Sequence, residues 1–351
     1  MNGKTVVSNL SVYGLTHALV DAACIATLFA IVARDPTNPQ SAFLIIFYNV
    51  LAFATQPLFG LLADRFNAPV HAAVWGTLLV AAATLVLPLP LLAVGITGIG
   101  NALFHVGGGA ISLKLADGKA ALPGIYVAPG ALGLALGLWI GKSGHFVAWP
   151  FILLLLAAAG LMVKLPRPAP VAPRPLPADL GWFETVLLLL LVSVTIRGMV
   201  GMSLVLPWKS EPTLLVILTA AVVLGKALGG VLGDRFGWTR VAVAGLVLAT
   251  PLLTFFAHTP ALAILGVFLF NLTMPVTLIC VSEMLPGYSG FAFGLTALAL
   301  VIGAWPVFTP LRTVTGHPAA IFAAILISIV ALYGGLRLYT DRFSAPVSAH
   351  G

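Results

Sequence analysis

The heptapeptide GLLADRF at residues 60–66 returns as GVLGDRF at 230–236, identical at five of seven positions and displaced by 170 residues in a chain of 351. Each copy sets an Asp-Arg pair at the end of a long apolar run. The surrounding composition says what those runs are. Hydrophobic residues make up 60% of the chain, charged residues 8%, and the mean hydropathy is +1.10. A water-soluble domain needs about a quarter of its residues charged to cover its surface. This chain falls far short, so most of its solvent is lipid. Its apolar runs are long enough to cross a hydrocarbon core about 30 Å thick. A transmembrane barrel would instead show period-two segments of about ten residues.

Breaks at Pro, Gly and charged residues predict an all-α membrane protein of twelve helices, near 8–33, 41–63, 70–89, 91–115, 120–141, 145–164, 181–206, 212–233, 239–258, 260–282, 288–310 and 317–339. One connection differs from the other, short ones. KLPRPAPVAPRPLPADL (164–180) holds six prolines, a composition that favours an extended, semi-rigid strap. It predicts an N-terminal six-helix bundle (1–164), a linker (165–180) and a C-terminal six-helix bundle (181–351). With twelve spans both termini share a side with the even-numbered loops. That side carries eleven Lys and Arg residues against four on the other, so the positive-inside rule places termini, strap and both heptapeptides in the cytoplasm.

The +7 formal charge is thereby accounted for by topology, and no basic run with interleaved aromatics suggests a nucleic-acid partner. Cys24 and Cys280 fall within apolar segments and form neither a disulfide framework nor a zinc-finger spacing. No Ser-His-Asp arrangement, phosphate loop or His-Glu-x-x-His motif appears, which argues against an enzyme and against a nucleotide or other cofactor.

The 170-residue offset pairs Gly60, Asp64 and Arg65 with Gly230, Asp234 and Arg235, and Asn101 with Asn271. A parallel repeat of six helices implies two pseudo-symmetric bundles. Small residues such as Gly60 and Gly230 let helices approach closely. Asp64 and Asp234 are placed to accept hydrogen bonds from a helix N-terminus of the facing bundle, where the dipole suits a carboxylate.

Gly-x-x-x-Asp-Arg-x-Gly-Arg/Lys in these two loops resembles the signature of the major facilitator superfamily. The second copy is nearly whole, with Gly230, Asp234, Arg235, Gly237 and Arg240; the first has Asn67 where Gly is usual. The resemblance spans essentially the whole chain. It implies alternating access between two bundles, with Asp64, Arg65, Asp234, Arg235 and Arg240 in latches that hold one side closed. A finer resemblance, to the fosmidomycin-resistance branch, lies in GIGNALFHVGGGAISLKLADG (98–118) and GIYVAPGALGLALG (124–137). Pro129, Gly130 and Gly133 also match part of the fifth-helix motif of drug/proton antiporters, with Ala128 in place of Gly. Export of a drug or organic anion in exchange for protons, by a monomer in a bacterial inner membrane, is what these likenesses imply.

Chemistry is expected where lipid ought to exclude polar groups. A charge at the centre of a spanning helix costs on the order of 3 kcal/mol on insertion scales, so such residues are functional candidates. Asp21 lies about 20 Å into helix one, with His17 one turn earlier on the same face. His105 in helix four and Arg197 in helix seven sit at similar depth. The family resemblance places helices one, four, seven and ten around a central cavity. Asn101, Asn271, Lys226 and its 170-offset counterpart Gln56 complete the candidate set. Asp21, beside His17, is the expected proton carrier, with Arg197 and Lys226 drawing an anionic substrate. Other uses stay open: a static Asp21–Arg197 ion pair between bundles, His105 bonded to a core carbonyl, Lys226 reaching for the interface, uptake with protons, or a divalent transition metal held by His17, Asp21 and His105.

Overall fold

The computed structural model describes residues 3–35, 37–169, 171 and 180–343. Among them, nine helices are long and apolar enough to span a membrane: α1 (Gly3–Val32), α2 (Pro39–Arg65), α4 (Pro90–Ala116), α5 (Ala121–Lys142), α7 (Gly181–Ser203), α8 (Pro212–Phe236), α10 (Pro260–Met284), α11 (Ser289–Phe308) and α12 (Pro318–Arg342). Three shorter apolar helices, α3 (Pro69–Ala83), α6 (Ala148–Lys164) and α9 (Trp238–Thr254), complete a twelve-helix fold.

Proline opens many of these helices, where the missing N–H is an orphan anyway. It stands in the first turn of α2, α3, α4, α8, α10 and α12. Side-chain caps reinforce three of these starts: Asn38 accepts from Gln40 N, Glu211 from Thr213 N and Leu214 N, and His317 from Ala319 N. Glu211 lies at the protein surface, and these backbone N–H groups hold its carboxyl below the usual range. Two spans are shorter than hydropathy suggests. α3 ends at Ala83 and not near 89, because Pro88 and Pro90 cannot donate to the carbonyls of Thr84 and Val86. α9 likewise stops at Thr254, three residues past its internal Pro251. α1 starts five residues earlier than expected, which puts His17 near the middle of that helix.

Three spans are irregular near their middles. α2 carries a π-helical turn at Val50–Ala54, just ahead of Pro57. α10 breaks at Leu272 between two helical segments, and Pro275 leaves the Asn271 carbonyl without its helical donor. α5 carries Pro129 internally. Broken helices at membrane depth are tolerated where protein, not lipid, surrounds them.

The helix pairings repeat between halves. α1 packs on α5 as α7 packs on α11, and α3 on α4 as α9 on α10. Between halves, α2 meets α11 and α5 meets α8. Glycine allows both crossings: a Cβ at Gly60 would strike the Gly290 backbone, and one at Gly230 the Ala120 backbone. The next contacts inward are also equivalent, with Gly294 against Gln56 and Gly124 against Lys226. Of the expected linker, residues 170 and 172–179 lie outside the described residues; Leu165 leaves α6 with extended backbone (φ −70°, ψ 145°).

Candidate functional site

At one end of these crossings, each repeated Asp binds the start of a helix in the other half. Asp64 accepts from Gly290 N (3.1 Å) and Phe291 N (2.8 Å) at the head of α11. Asp234 accepts from Ala120 N (2.8 Å) and Ala121 N (2.9 Å) at the head of α5. The donors obey the same offset as the acceptors: 290 − 120 and 291 − 121 both give 170. Asp234 receives a third donor, Trp238 Nε1 at 3.0 Å, which Asp64 lacks. The Asn67 departure has a backbone reason. Asn67 (φ 45°) and Gly237 (φ 96°) occupy equivalent positions and both have positive φ, where Asn is among the few tolerated side chains. Arg65, Arg235 and Arg240 form no ion pair among the described residues; Arg235 lies over the Phe236 ring.

Deeper in, α1 and α4 build a buried cluster. His17 Nε2 lies 3.3 Å from Asp21 Oδ2, and His105 Nε2 lies 3.4 Å from Asp21 Oδ1. The two Nε2 atoms are 3.0 Å apart. The other ring nitrogens are committed: His17 Nδ1 lies 2.9 Å from the Tyr126 carbonyl and His105 Nδ1 2.9 Å from the Asn101 carbonyl. A carbonyl only accepts, so each Nδ1 carries the hydrogen and each neutral imidazole points a bare Nε2 lone pair inward. Three acceptors therefore converge on one point, an arrangement that suits a shared cation. Asn101 Nδ2 adds a weak donor to Asp21 Oδ1 at 3.3 Å and to Cys24 Sγ at 3.5 Å.

The cluster is enclosed from both halves. Tyr126 of α5 stacks on His17 with centroids 4.9 Å apart. Phe293 of α11 approaches His105 (6.4 Å) and Tyr126 (6.2 Å) and fills the space above Gly109. Gly130 is required by the cluster itself: a Cβ there would lie 2.5 Å from His17 Nε2 and 2.7 Å from Asp21 Oδ2. Tyr126, Phe293 and Gly130's contact were not foreseen from the sequence, although the Pro129-Gly130 pair was noticed; a backbone carbonyl partner leaves no trace in side-chain spacing.

The structure does not bring Asp21 and Arg197 into an ion pair, and the reason is that each has closer partners. Asp21 is enclosed by the two imidazoles, while Arg197 Nη1 donates to Thr277 Oγ1 (3.1 Å) and Thr273 Oγ1 (3.3 Å) on α10. Those hydroxyls, one helical turn apart, were a signal available in the sequence but not used. Lys226 is partly buried on α8, within electrostatic reach of both Asp21 and Arg197, and forms no ion pair among the described residues. Asn271 bonds to its own helix at Val267 and sits beside the α10 break. Gln56 is fully buried; its Nε2 donates to Ala52, and its Oε1 has no partner among the described residues.

Comparison with known proteins agrees with this architecture. The family model described as Major Facilitator Superfamily matches residues 13–305. No curated protein is similar to the chain in sequence. Among solved structures, a variant of the E. coli fucose:proton symporter FucP is 13% identical, with 97% of this chain and 100% of that one covered and a TM-score of 0.69. The human organic anion transporter MFSD10 (TETRAN) is 14% identical, with 96% and 100% covered and a TM-score of 0.72. A bacterial homologue of the iron transporter ferroportin, outward-facing, is 14% identical, with 96% and 98% covered and a TM-score of 0.62. The chain belongs to the Major Facilitator Superfamily and is an integral membrane protein of that family of secondary transporters.

Proposed function

We propose that the chain is a proton-coupled carrier of a small solute, with the proton held by His17, Asp21 and His105 as a unit. The observation that supports this most is the convergence of two bare Nε2 lone pairs and a carboxylate within 3.0–3.4 Å. One added proton makes a His–H⁺–His bridge beside Asp21⁻, so the buried unit carries no net charge. Removing that proton leaves an uncompensated buried carboxylate, whose desolvation costs several kcal/mol. The charged or titratable groups facing the unit are Lys226 from α8, Tyr126 from α5, and Tyr48 with Cys24 at its edge. Lys226 is the one fixed countercharge within reach of the deprotonated form.

The same three residues offer ligand atoms within 4.8 Å of one another, the donor set of a divalent metal site. The His–Asp separations suit either cation. The His–His separation of 3.0 Å supports the proton reading, because it is a hydrogen-bond length, whereas tetrahedral ligation at about 2.0–2.1 Å would set the nitrogens about 3.3 Å apart.

Direction follows from solute charge. A cationic solute competes with the proton and is exchanged for it, which is the export expected from the Pro129-Gly130 pattern. An anionic solute and the proton attract each other and travel together. Arg197, buried and with no carboxylate partner among the described residues, favours the anion, and with it cotransport. The charge asymmetry of the loops supports cytoplasmic termini in a bacterial plasma membrane, and the carrier is read as a monomer.

Proteoliposomes loaded with a pH dye, with membrane potential clamped by K⁺ and an ionophore, test the coupling. Panels of small anions, sugars and amphipathic cations are added outside. At least one class is expected to evoke proton movement, inward for cotransport and outward for exchange. Solute entry without any proton movement would contradict the proposal.

A further inference from the structure

Resting on the carrier reading above, we infer that Arg197 forms the substrate's docking point and takes a compact oxyanion head, a carboxylate or phosphonate. Arg197 is only 9% exposed. Its Nη1 serves two threonine oxygens, and both hydroxyls direct their own hydrogens to backbone carbonyls of α10, Thr273 to Phe270 and Thr277 to Met274 and Thr273. Threonines of this kind fix the guanidinium plane without neutralising it. Nε and Nη2, the edge that grips a carboxylate or phosphonate side-on, have no partner among the described residues.

Nothing within the described residues is placed to supply the missing anion. Of the ten acidic residues only Asp21 lies deep in a span, and it is occupied by His17, His105 and Asn101. Asp64, Glu184, Glu211, Asp234, Glu283 and Asp341 stand at helix ends, Asp35 and Asp117 lie between helices, and Asp179 is outside the described residues. A buried cation with no partner is retained at a cost, and a ligand that completes it accounts for that cost. The rigid fork, not a point charge, marks the ligand as planar or tetrahedral oxyanion. Thr273 opens the second segment of α10, directly after the break at Leu272.

Purified protein titrated calorimetrically with butyrate, butylphosphonate, butyltrimethylammonium and butanol tests this. The two anions are expected to bind and the other two not. The phosphonate and carboxylate arms show which head group is preferred. Arg197→Gln should weaken anion binding at least ~10-fold. Binding of the ammonium in preference to both anions, or unchanged anion binding in Arg197→Gln, would overturn the site. Neither result would touch proton movement evoked by another solute, so the two proposals fail separately.

Discussion

His17 and His105 face each other Nε2 to Nε2 at 3.0 Å, each tied through Nδ1 to a backbone carbonyl, with the Asp21 carboxylate 3.3–3.4 Å from both. Neither ring can turn its Nδ1 hydrogen toward the other without giving up its bond to a helix carbonyl, a loss of about 0.5–1.5 kcal/mol. The arrangement holds a proton as a property of the trio, so its titration belongs to the unit and not to one residue.

Removing either imidazole should therefore disable coupling and spare folding. His17→Ala and His105→Ala are each expected to lower solute-evoked proton movement by at least ~10-fold. The double variant should be little worse than either, since the residues act as one unit. Additive losses would show that they act independently.

Gly130→Ala tests the same geometry from outside. The added methyl group meets His17 Nε2 and Asp21 Oδ2 at 2.5 and 2.7 Å, and both side chains are buried with nowhere to retreat. Loss of proton coupling with a destabilisation of about 1–3 kcal/mol is expected, measured by dye response and thermal unfolding. Full coupling in this variant would mean the cluster is looser than the structure has it.

At the other level of the molecule, Asp64→Asn and Asp234→Asn should release the heads of α11 and α5. Hydrogen bonds to charged acceptors contribute about 1.5–3 kcal/mol each. Amide exchange is the direct readout: Gly290 and Phe291 should lose protection in the first variant, Ala120 and Ala121 in the second. Asp234, with Trp238 as an extra donor, should show the larger effect. Equal protection in wild type and variants would remove the latch role.

Asn67→Gly should be tolerated, because the position needs positive φ and Gly237 already fills its counterpart. Asn67→Val should destabilise by about 1–2 kcal/mol, as a β-branched residue fits this backbone poorly. Thermal unfolding compares the three proteins.

The twelve spans were legible because lipid imposes a length and a polarity that composition cannot hide. The repeat was legible because Asp64 and Asp234 answer to one geometry, down to equivalent donors. Helix ends were less so: the run through Leu89 is apolar, yet Pro88 and Pro90 deprive it of donors, and hydropathy does not count N–H groups. His17 and Asp21 were visible as an i,i+4 pair, and their depth called for a partner. Which partner was hidden, since sequence gives depth but not the rotation of one helix about another. A static Asp21–Arg197 pair is open on charge alone, whereas the packing of α7 beside α10 directs Arg197 to Thr273 and Thr277. The Tyr126 carbonyl, which fixes the tautomer of His17, belongs to the backbone and has no residue signature.

Proton movement in Asp21→Asn proteoliposomes tests the central claim most directly. The amide keeps the size of the carboxyl but removes the charge that holds the proton between the two imidazoles, so solute entry should persist while solute-evoked proton movement disappears. Proton movement at the wild-type rate in Asp21→Asn would contradict the account.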